Sequence, residues 1–173
     1  MKKVIARVCI SILMILMLPL SAYAQNGIYN NKSIVLDSQT QQVVSNSKYS
    51  KIRSTARGRL LSLAELQLSD EGDGVMGVYA ETLCHVSVSE INMLICLDVW
   101  DDNIQDWITI NNYVYTWKAS DTPEGVLTDV SVSFLIEGLS KGRTYSLRGY
   151  HTAIGFDKLS EIMATETDGI VLK

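Results

Sequence analysis

Two histidines, His85 and His151, and two cysteines beyond residue 24, Cys84 and Cys96, are the residues best suited to acid–base or nucleophilic chemistry. Cys84 beside His85 suggests a thiol whose proton an imidazole removes. On an extended chain, successive side chains point to opposite faces, so His85 does not reach Cys84 and a thiol hydrolase is not expected. His151 follows Arg148 and Tyr150 and has two readings, as part of a ligand site or as a donor to a loop carbonyl. A base with no visible nucleophile has little to activate. No catalytic residue is assigned, and enzymatic activity is not expected.

Oxygen ligands are more plentiful. Asp98, Asp101, Asp102, Asn103 and Asp106 fall close together, and Asp70, Glu71 and Asp73 form a second group. Hard oxygen donors suit Ca²⁺, but neither group has the spacing of a defined calcium loop, and Asp and Asn are ordinary turn residues. The expectation is no cofactor, with Ca²⁺ as the alternative. Paired carboxylates also serve glycoside hydrolysis when they flank a cleft. The run Tyr113, Tyr115, Trp117 places three aromatic rings on one face at period two. Exposed, such a strip stacks on sugar rings; buried, it is core.

The elements that must position these residues begin after an apparent address. Lys2, Lys3 and Arg7 precede the apolar run Val8 to Leu20, and Ala22-Tyr23-Ala24 has the small-x-small form that a signal peptidase cuts. That run is about 13 residues, short of the roughly 20 needed to span a bilayer. The expected division is a signal peptide over 1–24, a flexible polar segment over 25–56 rich in Asn, Gln and Ser, and a folded domain over 57–173. Export to the extracellular side follows, with no transmembrane anchor after cleavage. All 19 acids lie after residue 24, while three of the 15 Lys and Arg precede it, leaving a net charge near −7. Such a chain is repelled by nucleic acid and by anionic membranes, so neither is expected as a partner. Lys48, Lys51, Arg53, Arg57 and Arg59 nevertheless cluster, and residues 60–117 hold ten acids and no Lys or Arg. The basic cluster reads either as an arm for an anionic polymer or as a partner of the domain's own acids.

Within the domain the hydrophobic period is two. Met76, Val78, Ala80, Thr82 and Cys84 share one face, as do Ile91, Met93, Ile95, Leu97 and Val99. Further strands are expected over 107–117, 130–136, 145–150 and through Ile170 and Leu172, while residues 60–68 suit a strand or a helix. If 74–84 and 91–101 form a hairpin, Cys84 falls opposite position 91 and Cys96 opposite position 79. That is beyond the roughly 4.4 to 6.8 Å between Cα atoms that a disulfide tolerates, so a Cys84–Cys96 bond stays open only through a bulge or a crossover between sheets. About seven strands punctuated by turns predict an all-β fold, a Greek-key β-sandwich.

The segment Gly138-Leu139-Ser140-Lys141-Gly142-Arg143-Thr144-Tyr145 resembles the corner between sheets in fibronectin type III and immunoglobulin-like sandwiches. The resemblance implies that the Tyr145 hydroxyl bonds back to the corner's backbone. A wider pattern runs through Arg57, Leu60 to Leu63, Gly72-Asp73-Gly74, Thr82, Leu97, Trp107, Tyr145-Ser146-Leu147-Arg148-Gly149-Tyr150-His151 and Thr167-Asp168-Gly169-Ile170. It resembles a family of small secreted clostridial proteins classed as a domain of unknown function, departing from it at Ala80, where Gly is usual. That resemblance implies export and a sandwich, and no activity.

These readings converge on a secreted, non-enzymatic β-sandwich module that binds a cell-envelope or extracellular ligand, a glycan among the candidates, through Tyr113, Tyr115, Trp117, Arg148 and His151. The alternatives are a secreted hydrolase using paired carboxylates and a structural or self-associating extracellular protein.

Overall fold

The computed structural model describes residues 44–45, 49–55 and 58–173. The expected signal peptide, most of the polar segment, Lys48 and Arg57 lie outside the described residues. The remainder is an all-β sandwich of ten strands, with one short 3₁₀ turn at Ala119–Asp121.

One sheet contains β2 (Tyr49–Thr55), β3 (Leu61–Gly72), β4 (Val75–Cys84) and β7 (Asp129–Ile136), adjacent in that order and antiparallel. The other runs β6 (Asp106–Lys118), β5 (Glu90–Asp101), β8 (Thr144–Ile154). Along β8, residues 148–154 pair with β9 (Ser160–Glu166), while Thr144 and Tyr145 pair with β10 (Gly169–Val171). The short β1 (Val44–Ser45) adds to β10 in parallel. Below, these are the β3 sheet and the β5 sheet.

Alternation decides which side chains meet between the sheets. Ala64, Leu66 and Leu68 of β3, Met76, Val78 and Ala80 of β4, Ile91, Met93, Ile95 and Leu97 of β5 and Leu147 of β8 are buried in one core. Residues 61–68 are strand, not helix. Laddering on both sides, to β2 and β4, satisfies the backbone of β3, and a two-residue period buries Ala64, Leu66 and Leu68 while directing Glu65 to the opposite face. The turn after β3 uses positive φ at Gly72, Asp73 and Gly74. At Gly74 a Cβ would lie 2.6 Å from the Leu139 carbonyl oxygen, so glycine is required by contact as well as by conformation.

Three expectations change. Residues 49–55 are not outside the domain: they form β2, with Ser50 buried and Lys51 and Arg53 paired to Glu65. Ladder bonds and ion pairs hold a segment whose composition is too polar to predict a core strand. Second, β4 and β5 are not a hairpin, because β4 ladders with β3 and β7 while β5 ladders with β6 and β8. Cys84 packs against the core from β4, Cys96 lies on the outer side of β5, and both are free thiols. Third, ten strands replace about seven; β1, β2 and β9 are the additions.

The chain crosses between sheets from β7 to β8 through the corner at Gly138–Arg143. There the Tyr145 hydroxyl accepts a bond from the Ser140 N–H at 3.1 Å and donates to the Ser140 carbonyl at 3.2 Å. Tyr145 is almost wholly buried, so its ring anchors the corner while its hydroxyl satisfies the turn's backbone.

Candidate functional site

The five residues singled out from the sequence do not form one site. Tyr113, Tyr115 and Trp117 lie on the core-facing side of β6, Arg148 projects from the outer face of β8, and His151 is in the core.

His151 is 0 % exposed. Its Nδ1 is 2.7 Å from the Thr82 hydroxyl on β4, and its Nε2 is 3.1 Å from the Thr165 hydroxyl on β9. Burial pushes its pKa down to about 4, because the imidazolium would be charged in a nearly dry interior. At neutral pH it is uncharged, with both nitrogens occupied, and it ties the two sheets together. Neither a ligand nor a substrate proton reaches it from solvent. The reason for the preceding Gly149 is then geometric: a Cβ there would lie 2.6 Å from Thr165 Oγ1, 2.9 Å from His151 Nε2 and 3.2 Å from a Leu66 methyl. Glycine leaves room for the His151 ring.

Arg148 is consumed in a similar way. Its Nε donates to Asp98 Oδ2 at 2.6 Å, and its Nη2 donates to Asp98 Oδ1 at 3.0 Å and to Thr109 Oγ1 at 2.8 Å. Thr109 in turn donates to Asp98 Oδ1 at 2.5 Å. Hydrogen bonding to Asp98 raises the guanidinium pKa further above an already high value. The pair spans β5 and β8, and the buried Asp98 carboxylate needs this bidentate partner. Thus Tyr145, Arg148, Gly149 and His151 each have an architectural task.

The acids of the turns are likewise engaged. Asp101 Oδ1 accepts from the Asn103 N–H at 2.8 Å, Asp102 Oδ1 from the Trp100 indole at 3.0 Å, and Asp106 Oδ1 from the Trp107 N–H at 2.8 Å. Asp70 Oδ1 accepts from the Gly72 N–H at 3.0 Å, and Asp73 pairs with Lys141 at 2.9 Å. Among the described residues no group of three or more His, Cys, Asp or Glu is arranged to hold a metal ion. Of the basic cluster, Lys51 and Arg53 pair with Glu65, and Arg59 lies 3.8 Å from Asp157. Glu161, unmarked in the sequence, accepts from the backbone N–H groups of Arg59, Leu60 and Leu61 at 2.7, 2.9 and 3.0 Å. Those three donors lower its pKa against the opposing effect of burial. It joins β9 to the start of β3. Cys84 is no better placed for chemistry, since burial, with Glu161 and Asp129 nearby, pushes its thiol up to about 11.

The aromatic strip is a different kind of feature. β6 is the edge of its sheet and β7 is the edge of the other. Phe134 of β7 meets Tyr113 at 4.8 Å and Tyr115 at 5.9 Å between ring centroids. Tyr115 and Trp117 stack at 5.8 Å with 20° between planes. All four rings pack on the core while remaining partly exposed, so they wall one open side of the sandwich. The strip is therefore both core and surface. Phe134 is the member that sequence spacing missed, and its period-two placement with Val130, Val132 and Ile136 marks only which face it occupies. No family model matches the chain, and no curated protein matches it.

Proposed function

We propose that the chain is an exported, non-catalytic β-sandwich module that binds a cell-envelope or extracellular ligand, with a glycan as the class that fits best, along Tyr113, Tyr115, Trp117 and Phe134. The observation that carries this reading is the stacked, partly exposed Tyr115–Trp117 pair on an edge strand. Two near-parallel rings offer the apolar faces of pyranoses a platform in which Tyr115 is held by packing on Phe134 and Trp117 by stacking on Tyr115. Export rests on the charged, apolar and small-x-small succession of residues 2–24. Non-catalysis is supported by a neutral buried His151, a protonated Cys84, the buried carboxylates of Asp98 and Glu65 engaged by Arg148 and by Lys51 and Arg53, and a Glu161 carboxylate occupied by backbone N–H groups.

We read the wiring as immunoglobulin-like, closest to the fibronectin type III arrangement. The order β3-β4-β7 against β6-β5-β8-β9 and the Tyr145 corner support that reading. Membership of the secreted clostridial family remains part of the same proposal.

Co-sedimentation with isolated Gram-positive cell walls over a salt series tests the binding. Retention that survives salt and falls on Tyr115→Ala with Trp117→Ala, in protein whose circular dichroism is unchanged, supports it. No retention refutes envelope binding, and retention lost at moderate salt points to the cations instead.

A further inference from the structure

We propose that β6 is a homotypic interface: two copies of the chain pair antiparallel through the free edge of β6, joining their β5 sheets into one continuous sheet. This goes beyond ligand binding and does not depend on it, because it uses the backbone edge and outer row of β6 rather than its ring faces.

An edge strand presents unpaired N–H and C=O groups, and natural sheets blunt such edges with charge, proline or brevity. The described edges divide on this point. β2 carries Lys51 and Arg53, β9 carries Glu161 and Glu166, and β1 has two residues. β7 has eight residues and begins with Asp129. β6 has thirteen residues, pairs among the described residues only with β5, contains no proline, and is uncharged from Trp107 to Trp117. Its exposed side chains include Val114 at 64 % and Ile110 at 48 %. A register shift opposite Leu97 and Asp98 places one bulge at Ile110 and leaves Asn111–Lys118 regular.

The charges select the occupant. Asp106 and Lys118 stand at opposite ends of the strand, with Asn112 at its midpoint. An antiparallel neighbour of the same sequence, centred there, brings each Asp106 to the partner's Lys118 end, with only uncharged side chains between. A parallel neighbour would align like charges. The two-fold arrangement also closes, since each copy contributes its β6 edge and the assembly stops at a dimer.

Sedimentation velocity across a concentration series, on the chain recovered from an exporting host, tests this. The expected result is a concentration-dependent dimer. Val114→Lys, which touches no core residue, should raise its dissociation constant by on the order of tenfold or more, because the register centred on Asn112 sets each new ammonium against the partner's Ile110 and replaces an apolar cross-strand pair on both sides of the axis. Leu135→Lys, at an equally exposed (61 %) position on β7, should leave the dimer intact. A chain that is monomeric throughout, a dimer indifferent to Val114→Lys, or a dimer broken by Leu135→Lys overturns the proposal.

Discussion

Acidification should act on this fold through His151. The imidazole titrates near 6.5 in an unfolded chain and at about 4 in the native core. Between those values the unfolded chain binds the extra proton, so unfolding gains as pH falls; the contribution is complete above about 6.5 and lost as pH drops through 4. At about 1.4 kcal/mol per pK unit, that separation corresponds to about 3.5 kcal/mol of stability in full, of which about 3 kcal/mol is lost by about pH 4. Glu65, Glu161, Asp73 and Asp101 also have lowered pKa values and weaken the fold in acid, so the His151 share must be isolated by difference. His151→Gln keeps a donor and an acceptor for Thr82 and Thr165 but does not titrate. Urea unfolding of both proteins from about pH 7 to about pH 4 should show the wild type losing about 3 kcal/mol more than the variant. Equal pH slopes would refute the argument, as would a resonance assigned to the His151 imidazole titrating near 6.5 in the folded protein.

Three further substitutions probe the same architecture. Gly149→Ala forces a Cβ toward Thr165 Oγ1 and His151 Nε2 and should cost about 1–3 kcal/mol in chemical denaturation. Adding Thr165→Ala, which removes the nearest atom, should recover part of that loss in a double-mutant cycle. Tyr145→Phe removes both hydroxyl bonds to Ser140 and should destabilise by about 1–2 kcal/mol, read as a lower urea midpoint with unchanged m-value. Arg148→Ala strands the buried Asp98 carboxylate with Thr109 alone and should cost about 3 kcal/mol, whereas Arg148→Met with Asp98→Leu should cost less than the single change.

Much of the fold was legible in local pattern. The two-residue periods of 75–84, 91–99, 107–117 and 130–136, and the corner leading to Tyr145, mark strands and a crossover because alternation and turn chemistry are properties of neighbouring residues. β2 was not legible: its residues are polar, and their stabilising partners, Glu65 above all, are remote in sequence. β9 was equally hidden, since Glu161 is held by backbone groups about a hundred residues away.

Side-chain roles divided in the same way. Sequence spacing alone established that Tyr113, Tyr115 and Trp117 share a face, and that Cys84 and His85 do not. Only tertiary packing decided that the strip sits at an open side against Phe134, that Arg148 is bound by Asp98 on the other face of the sheet, and that His151 lies neutral between two hydroxyls. Period records which face a residue takes; how deeply that face is buried, and which charges reach it, depends on the strands that pack over it.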